Sequence, residues 1–148
     1  MKVIIKSLLL YFGVMLASVS QAIAHTGDES ITPNFEHTIP NIPGKSLIAL
    51  EVDYPPGGAS VPHTHAKSAF IYAYVISGSI ESKVNDEKAK VYHAGESWYE
   101  PPGAIHLISR NMSKTKSAKL LAVFVVDSDD KALVTPLKNN LKSLKARN

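Results

Sequence analysis

Turn-forming clusters punctuate the middle of this chain at short intervals: Pro55-Pro56-Gly57-Gly58, Ser77-Gly78, Asn85-Asp86, Ala94-Gly95 and Pro101-Pro102-Gly103. Proline removes a backbone donor and glycine admits positive φ, so each cluster interrupts a helix or strand. Between them the apolar pattern has a period of two. Residues 46–53 place Ile48, Leu50 and Val52 on one face and Leu47, Ala49 and Glu51 on the other. Residues 70–76 are a run of aromatic and β-branched side chains, the composition of a strand. Further strands are predicted over 61–65, 79–84, 89–92, 97–100, 105–109 and 120–126, and nothing from 46 to 126 carries a helical period. A chain of about eight short strands closes into a small antiparallel barrel or jelly roll, because closure removes exposed edges.

The ends read differently. Lys2 and Lys6 precede an apolar run over 8–16, and Ala22-Ile23-Ala24 follows. This is the pattern of a secretory signal peptide over 1–24, predicting a periplasmic or secreted protein. The run is shorter than the ~20 residues of a membrane span, so no stable anchor is expected. Cleavage after Ala24 leaves His25 first, where its amine and ring can chelate copper. Residues 25–45 read as a polar, irregular arm, with Pro33, Pro40 and Pro43. The domain proper is expected over 46–126. Residues 127–148 form a basic tail in which Leu137, Leu141 and Leu144 share a helical face and Pro136 suits a first turn.

Composition narrows the function. At 148 residues and 45% apolar, the chain holds one packed domain with short extensions. Cysteine is absent, which excludes disulfides, a thiol nucleophile, thiolate metal sites and a lipid anchor on an N-terminal cysteine. The formal charge of +3 falls to about +1 without Lys2 and Lys6, and the basic residues gather in the tail. Aromatics are few and no basic stripe crosses the domain, so no nucleic-acid partner is expected.

Chemistry concentrates on histidines. In His63-Thr64-His65 the two imidazoles are separated by two positions, so on a strand they face the same side. His106, just beyond the Pro-Pro-Gly turn, is the best third partner. Three converging imidazoles suit one divalent transition metal: Fe, Mn, Ni, Cu or Zn.

Residues 57–78, with Gly57, His63, His65 and Gly78, and residues 95–111, with Gly95, Pro101, Gly103, His106 and Asn111, resemble the two motifs of the cupins. Asn111 stands one place beyond the family's spacing. The resemblance implies an all-β, cupin-type double-stranded β-helix of six to eight strands, a metal on His63, His65 and His106, and a homodimer paired through sheet edges and N-terminal arms. The family's glutamate should fall near Ala69, Phe70 or Ile71, yet residues 66–80 contain no acid. What remains is three neutral imidazoles with positions open to water or a chelating substrate. Glu100, just before Pro101, is the additional candidate to reach the metal or orient a histidine. Tyr72 and Tyr74, on the strand that lacks the glutamate, are the candidate catalytic hydroxyls. Phe70, Ile76, Trp98 and Val123 are the expected apolar walls, and Arg110 is a candidate partner for a substrate carboxylate.

Three functional readings follow. The first is an exported cupin with one divalent metal, acting as a dioxygenase-like enzyme on a small oxygen-rich or β-dicarbonyl-like substrate. The second is a non-catalytic small-molecule-binding or sensing cupin, which the missing glutamate favours. The third is copper handling through His25. The reaction class does not follow from the fold.

Overall fold

The computed structural model describes residues 28–137, and every regular element within them is a strand: β1 (Ser30–Thr38), β2 (Lys45–Tyr54), β3 (His63–His65), β4 (Phe70–Ser77), β5 (Ser79–Val84), β6 (Lys90–His93), β7 (Ser97–Glu100), β8 (Ile105–Asn111), β9 (Ala118–Asp127) and β10 (Val134–Pro136). They form two five-stranded sheets in the orders β1-β2-β9-β4-β7 and β10-β3-β8-β5-β6. All pairings are antiparallel. The inner faces of the two sheets enclose the core, as the all-β double-stranded β-helix expectation requires.

The two-residue period decides what is inside. Along β9, Ala118, Leu120, Ala122, Phe124 and Val126 are buried while the residues between them are half-exposed. Along β4, Ile71, Ala73 and Val75 point inward, and along β2 Leu50, Val52 and Tyr54 do. Each such side chain contributes on the order of 1.5–3 kcal/mol on burial. They gather in two clusters: one around Val75, Ile80, Trp98 and Leu120, the other around Leu50, Ile71, Phe124 and Val126.

Two expectations are corrected. The stretch read as an irregular arm contains β1, which pairs with β2 along its length through a bulge between Pro33 and Phe35. As an edge strand it exposes nearly every side chain, so its sequence has no burial period to read. Ile31 alone packs into both core clusters. Pro136 does not open a helix: it ends β10, opposite His63. An edge strand tolerates proline because no ladder bond is lost on the solvent side. The signal segment, His25, and Leu141 and Leu144 of the expected tail helix lie outside the described residues.

Two turns set the geometry of the site. Ala104 N–H donates to Pro101 O at 3.0 Å, with Pro102 and Gly103 between them and Gly103 at φ 71°. Proline then a positive-φ glycine is the pattern of a type II turn, and it launches β8 with His106. Gly78, at φ 76°, turns β4 into β5 against β9; a Cβ there would lie 2.7 Å from the Ala118 Cβ. Asn111 closes β8 as a clamp, its amide donating to Pro55 O at 3.0 Å and Lys116 O at 2.7 Å.

Candidate metal centre

β3 lies between β10 and β8. Its alternation turns His63 and His65 the same way, and its register sets His63 directly opposite His106. The three expected ligands therefore meet on the inner face of one sheet. Their ring centroids are 4.7, 5.3 and 6.0 Å apart, and one ring nitrogen from each lies within 4.8 Å of the others. His65 and His106 are buried and His63 is half-buried.

The rings are held as a ligand set needs them. His63 Nδ1 is 2.8 Å from Val61 O; a carbonyl only accepts, so Nδ1 carries the proton and Nε2 keeps its lone pair. His106 Nε2 is 2.9 Å from Ser82 Oγ. Burial pushes His106 down to about 4, against the opposing pull of Glu100. Burial likewise lowers His63. Both are neutral at pH 7, the state in which imidazole binds metal.

Glu100 reaches the same point from the facing sheet. On β7, Trp98 and Glu100 point inward while Ser97 and Tyr99 are exposed. Glu100 Oε2 lies 3.0 Å from His65 Nε2, and Oε1 lies 3.3 Å from His106 Nδ1. Trp98 Nε1–H donates to Oε1 at 3.1 Å. Burial alone would raise the Glu100 carboxyl, but the neighbouring imidazoles of His65 and His106 and the Trp98 donor outweigh it and hold the group down. It is a carboxylate at neutral pH.

The histidines and Glu100 line a cavity between the sheets with a water-accessible volume of ≈ 80 Å³. At ~10–15 Å³ per water, that is room for roughly five to eight water-sized positions. Its apolar wall comes from Leu50, Val52, Ile71, Leu120, Ala122 and Phe124. Glu29, Ser60 and Ser109 also face it. The Tyr54 hydroxyl bonds Ser109 at 2.7 Å and Ser60 at 2.9 Å, and burial pushes it up to about 12, so it stays protonated. No lysine or arginine lines this cavity among the described residues.

Other expected residues lie elsewhere. Tyr72 and Tyr74 are not in the cavity: with Ile71, Ala73 and Val75 pointing in, the pleat turns both tyrosines out, where their rings stack on each other. The same alternation turns Phe70 and Ile76 to solvent and Val123 to the outer face. Of the four expected wall residues only Trp98 is buried, and it borders the site through its bond to Glu100. Arg110 faces outward and pairs with Glu81. Ser82 and Glu29 were not among the expected site residues. Ser82 had a legible signal, a hydroxyl between Ile80 and Val84 on the buried face of β5. Glu29 lies beside a strand without a period, and no pattern marked it.

The family model described as Cupin domain matches residues 50–124, half of the chain. Germin-like protein subfamily 2 member 2 of Arabidopsis thaliana is 29% identical over 104 residues, covering 68% of this chain and 47% of that protein. The chain spans less than half the length of the curated relatives it matches. Oxalate oxidase in complex with the substrate analogue glycolate superposes with a TM-score of 0.59 at 19% identity, over 85% of this chain and 69% of that one. A Klebsiella pneumoniae protein with a double-stranded β-helix domain gives 0.58 at 17%, over 76% and 86%. At these identities the structural likeness shows the fold alone.

Proposed function

The chain belongs to the cupin family, and from that premise we propose that it is an exported protein holding one divalent metal on His63, His65 and His106, with a small oxygen-rich ligand in the cavity beside it. The observation that carries this reading is the convergence of three ring nitrogens within 4.8 Å at the wall of an apolar cavity. Their fit to a cation rests on three features of the site. His63 and His106 are neutral at pH 7, His63 is locked as the Nδ1–H tautomer, and both nitrogens of buried His65 lack a hydrogen bond. A metal held there would supply Lewis acidity and, for iron or manganese, electron-transfer chemistry.

The chain's own residues set the ligand class. A cavity of ≈ 80 Å³ suits a molecule of a few heavy atoms. With Glu29 and Glu100 in its wall and no cationic side chain among its lining residues, it favours a neutral or singly charged chelator over a dianion. Leu50, Ile71, Ala122 and Phe124 exclude water around the ligand. Ser60 and Ser109 offer hydroxyls to its oxygens.

The second reading, a binding or sensing cupin without catalysis, is favoured by one observation. The tyrosines expected as proton donors face solvent, and the hydroxyl of Tyr54, which does line the cavity, is held protonated and bonded to Ser60 and Ser109. Both readings share the signal-directed export, the second stands with or without a structural metal, and the family resemblance adds a homodimer to each.

The test is elemental analysis of protein purified from the periplasm without a metal-affinity tag, beside the His63→Ala/His106→Ala variant. About one equivalent of a transition metal that disappears in the variant supports the proposal. Absence of metal after reconstitution with Fe(II), Mn(II), Ni(II), Cu(II) and Zn(II) overturns it. Recovery of the protein from the cytoplasm with residues 1–24 intact overturns the export.

A further inference from the structure

We propose that Glu100 is the anionic metal ligand of this site, supplied from β7 because β4 carries no acid. The proposal deepens the metal-binding reading above and rests on it. β7 pairs with β4 so that Glu100 stands directly opposite Ile71. A carboxylate on Glu100 therefore enters the cavity one strand over from Ile71, on the same inner face.

The burial of Glu100 calls for such a role. The residue is 2% exposed, and an ionised carboxylate in an apolar wall is costly unless its lone pairs are matched. Oε1 is matched by the Trp98 indole. Oε2 has no hydrogen bond, nor does either ring nitrogen of His65, although Oε2 and His65 Nε2 are only 3.0 Å apart. The two groups are close without the alignment of a donor and an acceptor. A cation shared by Oε2 and the lone pair of His65 Nε2 satisfies both at once. Three imidazoles and one carboxylate place a single negative charge beside a divalent ion. That donor set suits Mn(II), Fe(II) or Zn(II) better than Cu(I), which prefers soft sulfur ligands.

The chain has one tryptophan, and its indole is bonded to the proposed ligand. Its ring also packs edge-on against His106, at 6.4 Å between centroids, so its emission reports the site independently of any activity.

The experiment titrates Mn(II) into chelator-treated wild type, Glu100→Gln, and the double variant Ile71→Glu/Glu100→Gln. Affinity is read by equilibrium dialysis and Trp98 emission is followed with the diamagnetic probe Zn(II). Gln keeps the shape and the acceptor for Trp98 but not the charge. Wild type binds one Mn(II). Glu100→Gln loses at least a hundredfold in affinity, and the double variant, with its carboxylate moved across the strand pair, regains at least tenfold. Zn(II) shifts the emission of wild type at a concentration at least a hundredfold lower than that of Glu100→Gln. Affinity in Glu100→Gln within threefold of wild type overturns the proposal while leaving the histidine site standing. Failure of wild type itself to bind any of Mn(II), Fe(II), Ni(II), Cu(II) and Zn(II) overturns the metal reading and this proposal with it. Should the variants not fold, a crystal structure of Zn(II)-loaded wild type decides it: a Glu100 oxygen at ~2.1 Å from the ion supports the proposal, and one beyond hydrogen-bonding distance refutes it.

Discussion

Lowering the pH of the metal-free protein from 7 to 4 forces a proton onto His106 in the unfolded chain long before the folded one accepts it. The folded imidazole, 4% exposed between two sheets, is pushed by burial from its ordinary 6.5 to about 4. Its folded value is depressed, so the unfolded state binds more protons at every pH between those limits and stability falls as pH falls. The contribution is complete above about 6.5, is lost progressively down to about 4, and is flat below. At ~1.4 kcal/mol per pH unit, a gap of about 2.5 amounts to about 3 kcal/mol from this ring alone. His63 is depressed too and acts in the same direction. The Glu100 carboxyl is held below its ordinary value, so its contribution is lost only as pH falls below about 4.5. The window from 6.5 to 4.5 therefore isolates the histidines. Urea denaturation in chelator across that window, on wild type and His106→Gln, measures the slope. Wild type should lose about one proton's worth more stability per pH unit than the variant. A folded-state His106 that titrates near 6.5 by proton NMR, or equal slopes in the two proteins, would refute the reasoning.

Other outcomes follow from the same structure. Gly78→Ala places a methyl 2.7 Å from the Ala118 Cβ at a φ of 76°, so it should lower stability by about 2–4 kcal/mol in urea melts; a change below ~0.5 kcal/mol would contradict that packing. Asn111→Ala releases the clamp on Pro55 and Lys116 and should cost about 2–3 kcal/mol while leaving His106 in place, checked by metal stoichiometry against stability. Tyr72→Phe and Tyr74→Phe, on the outer face, should leave metal affinity and stability within ~0.5 kcal/mol of wild type; loss of metal in either would return the tyrosines to the site. Light scattering should give twice the chain mass if the homodimer forms, and a monomer at high concentration would discard it.

Much of this protein was legible along the chain because its signals are local. Each of the eight strands expected over 46–126 has a counterpart in the structure, since a strand with one buried face writes its alternation into the sequence. His63, His65 and His106 were legible for the same reason: two same-side residues on one strand, and a third placed by a proline-glycine turn. β1 and β10 were not: neither fully buries a side chain, and neither is bracketed by turn clusters as the edge strands β6 and β7 are. The side on which Tyr72 and Tyr74 emerge was not either. Alternation says that neighbours face opposite ways, and only the pairing of β4 with β9 and β7 says which way is in.

By itself, then, the sequence determined the strand succession over 46–126, its turns and the same-side pair His63 and His65, all properties of residues a few positions apart, with His106 named from the turn that precedes it. Tertiary structure decided that Glu100, 35 positions beyond His65 in the chain and on the other sheet, would come within 3.0 Å of it. That distance is set by how two sheets pack face to face, and no local periodicity encodes it.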